Sequence, residues 1–533
     1  MNNKHLAGAN APNGPKEKKD MKVFLVRPSI MVHRRALDFG AAPSLGLAYL
    51  AGYIQKHGYT STIIDSAAEG LGHIQNWELS EEFNRHGITP AETIAKIPED
   101  VDVIGVNAMM TSEWPMTREL IQRLRAAFPN ALLVAGGEHI TALSEFSLEQ
   151  CPELDALALG EGEETFYELL EAHRKGKDFS SIPGLAFQND DGEYVSTGRR
   201  ARIRDIDEIP WPLWTIDYLK KFWDSGRSNG VSSKRDVPFL VSRGCPYQCT
   251  FCTNTQMWTN RYILRSVDDT IAEIQYYIDE FKITGVQLFD LTAVIKKKWI
   301  LEFCQQLKDK NIKIRWSLPT GTRSEALDVE TLTMLRDTGC KYIGYAPESG
   351  SERSLKAIKK KIDLVSLTRS VMQAKDLGFV TRCNLIIGFP HETRKDIYQT
   401  LRYAFKVAAK GVDEVWVSII MPLPGTELFN DLRKRGEIEV NDEFLFHLAR
   451  LNHAFSLSNM LTHNPHVSSF ELCVYKFFTI YACYLIGYIL YPSRIVRTVR
   501  NLMSGTNADS FFEHRLLNIL HRKKATTSAP GNY

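Results

Sequence analysis

The chain has little that would tie it to one charged partner. Across 533 residues, 65 Lys and Arg stand against 63 Asp and Glu, a formal net charge of +2. That balance excludes the basic footprint of a protein that grips nucleic acid with its whole surface, so no nucleic-acid partner is expected. Cysteine is also scarce. Nine residues, six of them scattered singly, cannot make a disulfide scaffold. Residues 1–20 contain no apolar run and read as a disordered polar tail without a signal peptide. No internal repeat is visible. The charge-free stretch Phe477–Tyr491 is 15 residues long, short of the ~20 that a spanning helix needs. What remains is a cytoplasmic globular chain of roughly two to four domains in a reducing compartment, where closely spaced cysteines bind metal or do chemistry.

What is present is an alternation of apolar strands and amphipathic helices. MKVFLVRP, TSTIID, VDVIGVNA (101–108), ALLVAGGEH (131–139) and DALALGEGE (155–163) read as strands, with helices over 44–58 and 114–128 and others starting at Thr141 and Glu164. This rhythm predicts a doubly wound, mainly parallel sheet over residues 21–190, interrupted by an insertion or loop at 66–100. Residues 191–235 lack periodicity and read as a linker packed on its neighbours. Six further strand–helix units over 236–430 are too few for a closed eight-stranded barrel, so an open partial barrel is expected, with ligands at the carboxyl ends of its strands. Residues 431–533 form a helical C-terminal region. Within it, 470–491 is strongly apolar and is followed by Arg494, Arg497 and Arg500. A buried helix is favoured there over an interfacial helix that would give a peripheral membrane contact through 470–500.

The chemistry concentrates at RGCPYQCTFC, where Cys245, Cys249 and Cys252 follow a strand with spacing C-x3-C-x2-C. Three thiolates on one tight loop hold three irons of a 4Fe-4S cluster and leave the fourth open for a reaction. The alternative, structural zinc, wants four ligands, and no fourth Cys or His follows at zinc-finger spacing. The loop resembles the radical S-adenosylmethionine (SAM) superfamily, whose fold is a partial (β/α)6 barrel. By that resemblance the open iron takes the amino and carboxylate groups of SAM, and Phe251 lies beside its adenine. Ala346–Gly350 resembles the family's ESG segment, giving Glu348 and Ser349 to SAM, and NLIIGFPHET resembles the late glycine-bearing strand, giving Gly388. Asp290 and Arg323 stand at the same strand ends. A carboxylate suits hydroxyl and ammonium donors, and a glycine lets a flat ring approach the backbone.

The first block resembles the cobalamin-binding domains fused to radical SAM barrels, through PSLGLAYLAGYIQKHGY, DVIGVNAMMTSEW, LLVAGGEHIT and ALGEGEETF. Asn107, Thr111, Gly136, Gly137, His139, Gly160, Glu161 and Gly162 are the positions this likeness puts near the corrin. The D-x-H-x-x-G segment that gives cobalt a histidine in other cobalamin proteins is absent, so the resemblance implies cobalamin with no histidine on its lower face. The implied fold is α/β: a Rossmann-like cobalamin-binding domain, a partial (β/α)6 barrel and a helical C-terminal region. The implied activity is C-methylation of an unactivated carbon in a small-molecule or lipid substrate, with an electron donor such as flavodoxin or ferredoxin. Cyclisation or another redox outcome without methyl transfer is the alternative. A non-enzymatic cobalamin sensor or carrier would have lost the cysteine loop. A methylthiotransferase would need N-terminal cysteines, and none precedes Cys151.

Overall fold

The computed structural model describes residues 16–34, 41–225, 233–453 and 461–504, with isolated positions between 510 and 517. The N-terminal half contributes ten strands: β1 (Val23–Arg27), β2 (Ile30–His33), β3 (Ser61–Asp65), β4 (Ile74–Trp77), β5 (Ser80–His86), β6 (Val103–Asn107), β7 (Leu132–Gly136), β8 (Ala156–Ala158), β9 (Leu185–Gln188) and β10 (Tyr194–Ser196). Seven of them make one sheet in the order β10-β9-β8-β7-β6-β1-β3, parallel from β3 to β8 and closed at one edge by the antiparallel β9 and β10. Side chains alternate across it. Phe24 and Val26 enter one core, and Val23 and Leu25 enter the other, as a sheet with both faces covered requires. The chain reverses its winding between β1 and β6, and ligands of such sheets sit at the strand carboxyl ends near that switch.

The second half supplies β11 (Asp236–Phe239), β12 (Ser242–Arg243), β13 (Ile263–Leu264), β14 (Gly285–Leu288), β15 (Arg315–Thr322), β16 (Cys340–Glu348), β17 (Val380–Ile387) and β18 (Glu414–Ile419). β11, β14, β15, β16, β17 and β18 form a six-stranded, wholly parallel sheet in sequential order, with β11 and β18 as its edges. This is the open (β/α)6 barrel expected, behind a Rossmann-like sheet.

Several expectations shift. Of the tail, residues 1–15 lie outside the described residues, but Lys18–Asp20 form a 3-10 turn and the Lys18 ammonium pairs with Glu171. The 66–100 segment is no plain loop: β4 and β5 join β2 in a three-stranded antiparallel sheet. The 191–235 linker contains β10, so the first sheet runs past residue 190, and a helix at Ile216–Ser225. In place of one helix from Thr141 there are two short ones, Glu138–Ala142 and Ser144–Gln150. The apolar C-terminal segment is a helix, Ser469–Leu490, capped by a Ser468/Glu471 capping box. It is buried on one face only. Leu472, Cys473, Ile480 and Cys483 join the barrel core while Phe470, Phe478, Leu485 and Ile489 are exposed.

Candidate functional site

The cysteine loop hangs between β12 and β13, which pair antiparallel and clamp its two ends. Its footing is a break in the first barrel strand at Leu240–Val241. There Val241 N–H donates to the Asp290 carboxylate (3.1 Å), as do Ser242 N–H (2.5 Å) and the Ser242 hydroxyl (2.5 Å). Asp290 is thus a brace under the loop, 1% exposed, rather than a group facing a cofactor; burial pushes its carboxyl up to about 6. Within the loop, Asn254 donates to the carbonyls of Cys245 and Thr259 (3.0 Å each) and Cys252 N–H to that of Cys249 (3.1 Å). Burial pushes all three thiols up, Cys252 to about 11. Among the described residues no three His, Cys, Asp or Glu side chains converge tightly enough to hold a single ion. Three free, half-buried thiols on one turn fit three corners of a cluster larger than a single ion.

Around the loop, the Arg323 guanidinium lies 3.5 Å from the Tyr247 ring centre, and the Lys360 ammonium pairs with Glu348 (2.9 Å). Glu348 closes β16 in the left-handed region (φ 64°), so the backbone turns sharply as its carboxylate reaches Lys360. Phe251 meets Phe389 edge-on at 5.6 Å, while the side-chain position of Gly388 (φ 91°) faces Leu472 and Ile419 in the core. Ser349 departs from expectation. It is wholly buried, with its hydroxyl bonded to Thr400 (2.9 Å) and accepting from Ser351 N–H, so it fastens a helix rather than facing the loop.

Across from the cysteines stand the carboxyl ends of β6, β7 and β8. Ala108 N–H donates to the Gly136 carbonyl (2.8 Å) and His139 N–H to that of Met109 (3.2 Å). Gly137 (φ 128°) leaves no room for a side chain, since a Cβ there would stand 2.6 Å from the Ala108 carbonyl oxygen. Thr141 donates to the Gly137 carbonyl (2.8 Å) and accepts from Gly160 N–H (3.0 Å), tying two of the turns together. No atom lies within 4 Å of where a side chain on Gly160 would begin. Met109 and Met110 are exposed, Asn107 and Gly162 lie at the same end, and Thr111 is mostly buried. Open backbone turns flanked by thioethers suit a broad flat macrocycle. Beside Thr111, burial pushes the Glu113 carboxyl up to about 7 against the pull of Arg27.

Two residues placed near the corrin from sequence have other duties. His139 is fully buried, stacked on Trp114 at 4.6 Å with its ring bonded to Ser147 (3.2 Å); burial drives its pKa down to about 3, so it is a neutral core residue. The Glu161 carboxylate is held by Arg202 (2.7 Å), Arg243 (3.1 Å) and Ile203 N–H (3.1 Å). Arg243, two residues before Cys245, also reaches Glu163 (2.5 Å), and its guanidinium lies over Tyr49 and Trp258. The seam continues where Gln256 donates to the Thr141 carbonyl (3.1 Å), and burial pushes the nearby Glu138 carboxyl up, offset by Thr253. Sequence reasoning missed Arg243, Arg202, Glu163, Thr141 and Lys360. The only available signal was the adjacency of Arg243 to the cysteine loop and of Glu163 to the G-E-G turn.

Comparison with known proteins matches residues 39–170 to the B12 binding domain and residues 239–404 to the radical SAM superfamily. An uncharacterized methyltransferase of Pyrococcus horikoshii is 29% identical over 77% of this chain and 83% of its own. The cytidylyl-2-hydroxyethylphosphonate methyltransferase of Streptomyces wedmorensis is 27% identical over 80% of this chain and 84% of its own. The anaerobic magnesium-protoporphyrin IX monomethyl ester cyclase of Rubrivivax gelatinosus is 27% identical over 78% and 71%. Among solved structures, the radical SAM methyltransferase TsrM of Kitasatospora setae, with cobalamin and a 4Fe-4S cluster bound, superposes with a TM-score of 0.66 at 14% identity, covering 95% of this chain and 100% of that one.

Proposed function

From a chain that belongs to the radical SAM superfamily and carries a B12-binding domain ahead of its barrel, we infer a C-methyltransferase. It acts on an unactivated carbon of a small-molecule or lipid substrate. The observation that supports this most is the seam itself: the cysteine loop and the open strand-end turns of the first sheet face each other and are fastened together. When bound, the cluster and SAM supply a 5′-deoxyadenosyl radical for hydrogen removal, and cobalamin supplies the methyl group.

The chain's residues then divide the work. Cys245, Cys249 and Cys252 would hold the cluster. Lys360 and Arg323 set positive charge beside those thiolates, and Glu348, oriented by Lys360, accepts from the hydroxyls or ammonium of SAM. Phe251 and Gly388 flank the adenine. Asn107, Thr111, Gly136, Gly137, Gly160 and Gly162 present backbone and small side chains to the corrin. The seam excludes water and fixes the distance between the two halves. A reducing electron donor such as flavodoxin or ferredoxin supplies the electron, and we place the chain in the cytoplasm.

The test is anaerobic reconstitution with iron, sulfide and hydroxocobalamin, followed by metal analysis and absorbance. About four irons and about one corrinoid per chain are expected; four irons with no corrinoid overturns the reading. The cyclase relative favours one other outcome, radical chemistry without methyl transfer. Product ratios separate the two: equal S-adenosylhomocysteine and 5′-deoxyadenosine for methylation, 5′-deoxyadenosine alone for the alternative.

A further inference from the structure

Exposed apolar surface in this molecule is concentrated at one place. Of the twenty-one exposed large hydrophobic side chains among the described residues, eleven fall within residues 470–503. On the helix Ser469–Leu490, Phe470, Val474, Phe478, Tyr481, Leu485 and Ile489 recur at helical spacing and form one outward stripe; Phe478 and Leu485 are 63% and 62% exposed. The next helix, Ser493–Ser504, is inverted. Ile495, Val496, Val499 and Met503 point outward, while its inner face is polar. On that inner face Arg497 pairs with Asp413 and Glu513 (3.0 Å each), and Thr498 and Asn501 bond Glu513 (2.9 and 2.8 Å). A soluble helix puts its apolar face inward; one turned outward meets something other than water.

The rim of this face indicates what that is. The helix Arg394–Ala409 packs alongside the stripe through the Phe405–Phe478 rings (6.1 Å) and the Tyr398–Tyr475 hydroxyls (3.1 Å). On the same row as Tyr398 run Arg402, Lys406 and Lys410, all exposed, and Arg500 sits among the outward residues of the last helix. None of these four makes an ion pair among the described residues. The acids on the three helices are engaged: Glu471 by Arg394 (2.9 Å) and Asp396 by Arg353. An apolar stripe edged by free bases is complementary to an anionic membrane interface. It is poorly suited to a second copy of the chain, because a two-fold contact would set the same bases against each other. The inner face of Ser469–Leu490 is committed to the barrel core, which excludes a spanning arrangement.

We propose that the faces of helices Ser469–Leu490 and Ser493–Ser504, edged by Arg402, Lys406, Lys410 and Arg500, rest in the surface of a lipid bilayer bearing anionic headgroups. The protein then lies on the membrane with its cofactor seam outside it. The inference stands independently of methyl transfer, because it is read without substrate or turnover.

The experiment floats the full, cofactor-loaded chain with phosphatidylcholine vesicles, with and without phosphatidylglycerol, at low and high salt. Co-flotation with the anionic vesicles, weakened by salt, is expected. Replacing Arg402, Lys406 and Lys410 together by Gln should weaken that binding roughly a hundredfold. Phe478→Ser with Leu485→Ser should abolish it, with iron and corrinoid per chain unchanged because both side chains already face outward. Absence of binding to anionic vesicles overturns the proposal, as do variants that bind like the parent. So does a concentration-dependent dimer that Leu485→Ser dissolves in a chain that ignores vesicles; that result would assign the face to a second copy.

Discussion

The Arg243 guanidinium bridges Glu161 (3.1 Å) and Glu163 (2.5 Å), joining the residue two places before Cys245 to the G-E-G turn of the opposite sheet. All three side chains are less than a tenth exposed, so the bridge lies in a medium where a bare charge is costly. One planar, bidentate cation therefore spans the seam, beside the Arg202–Glu161 pair and the Gln256–Thr141 bond.

Arg243→Ala should leave two buried carboxylates without their shared partner. A loss of about 3–5 kcal/mol is expected, read as a lower urea midpoint. Arg243→Lys should recover only part of it, because an ammonium lacks the fork that reaches both acids. Full stability in the alanine variant would show that the seam is held elsewhere.

Cys249→Ala should abolish 5′-deoxyadenosine release while the chain still retains corrinoid, since the altered residue and the glycine turns belong to different sheets. Chromatography of the nucleoside checks it. Release at the parent's rate would remove the cluster assignment.

Two glycine variants should behave differently. In Gly137→Ala the new Cβ meets the Ala108 carbonyl in a backbone region that alanine resists, so stability itself should fall by about 1–3 kcal/mol. Gly160→Ala has open space around it and should cost only about 1–2 kcal/mol for its positive φ. It should nevertheless lose corrinoid, because the methyl occupies space that the macrocycle needs. Corrinoid retained at full stoichiometry in Gly160→Ala would remove that turn from the site.

His139 gives the acid limb of stability a sign. Burial lowers its pKa to about 3, below the ordinary 6.5, so the unfolded chain binds the proton more readily. Stability is complete above pH 6.5 and should fall as pH drops toward 3, by up to about 4 kcal/mol from this group. In His139→Gln, denaturation midpoints measured across that window should flatten; an unchanged slope would mean that the ring is not held neutral.

The parts legible in the sequence were those that are local in the chain. C-x3-C-x2-C is one loop, and the glycine turns are fixed by the strand immediately before them, so both could be read without knowing the fold. Glu161, Asp290 and Ser349 also stand at strand ends, yet each is bonded to a neighbour: Arg243 82 residues away, Ser242 48 away, Thr400 51 away. Residue type and strand-end position cannot tell a carboxylate that faces a cavity from one that faces such a partner. His139 was ambiguous in the same way, and Trp114 above its ring decides it. For 470–491, composition is apolar nearly all round, so no periodicity marked which face would be left uncovered; only the packing of Leu472 and Ile480 into the barrel core does.

Leu472 also has a neighbour at the working end of the barrel: a Cβ on Gly388 would stand 2.9 Å from its nearer methyl. Residue 388 also holds a left-handed backbone (φ 91°), so a side chain there meets strain before it meets Leu472. The helix Ser469–Leu490 thus rests a methyl against the turn that ends β17, and a change of bulk at 472 is felt at the working end of the barrel as well as in its core.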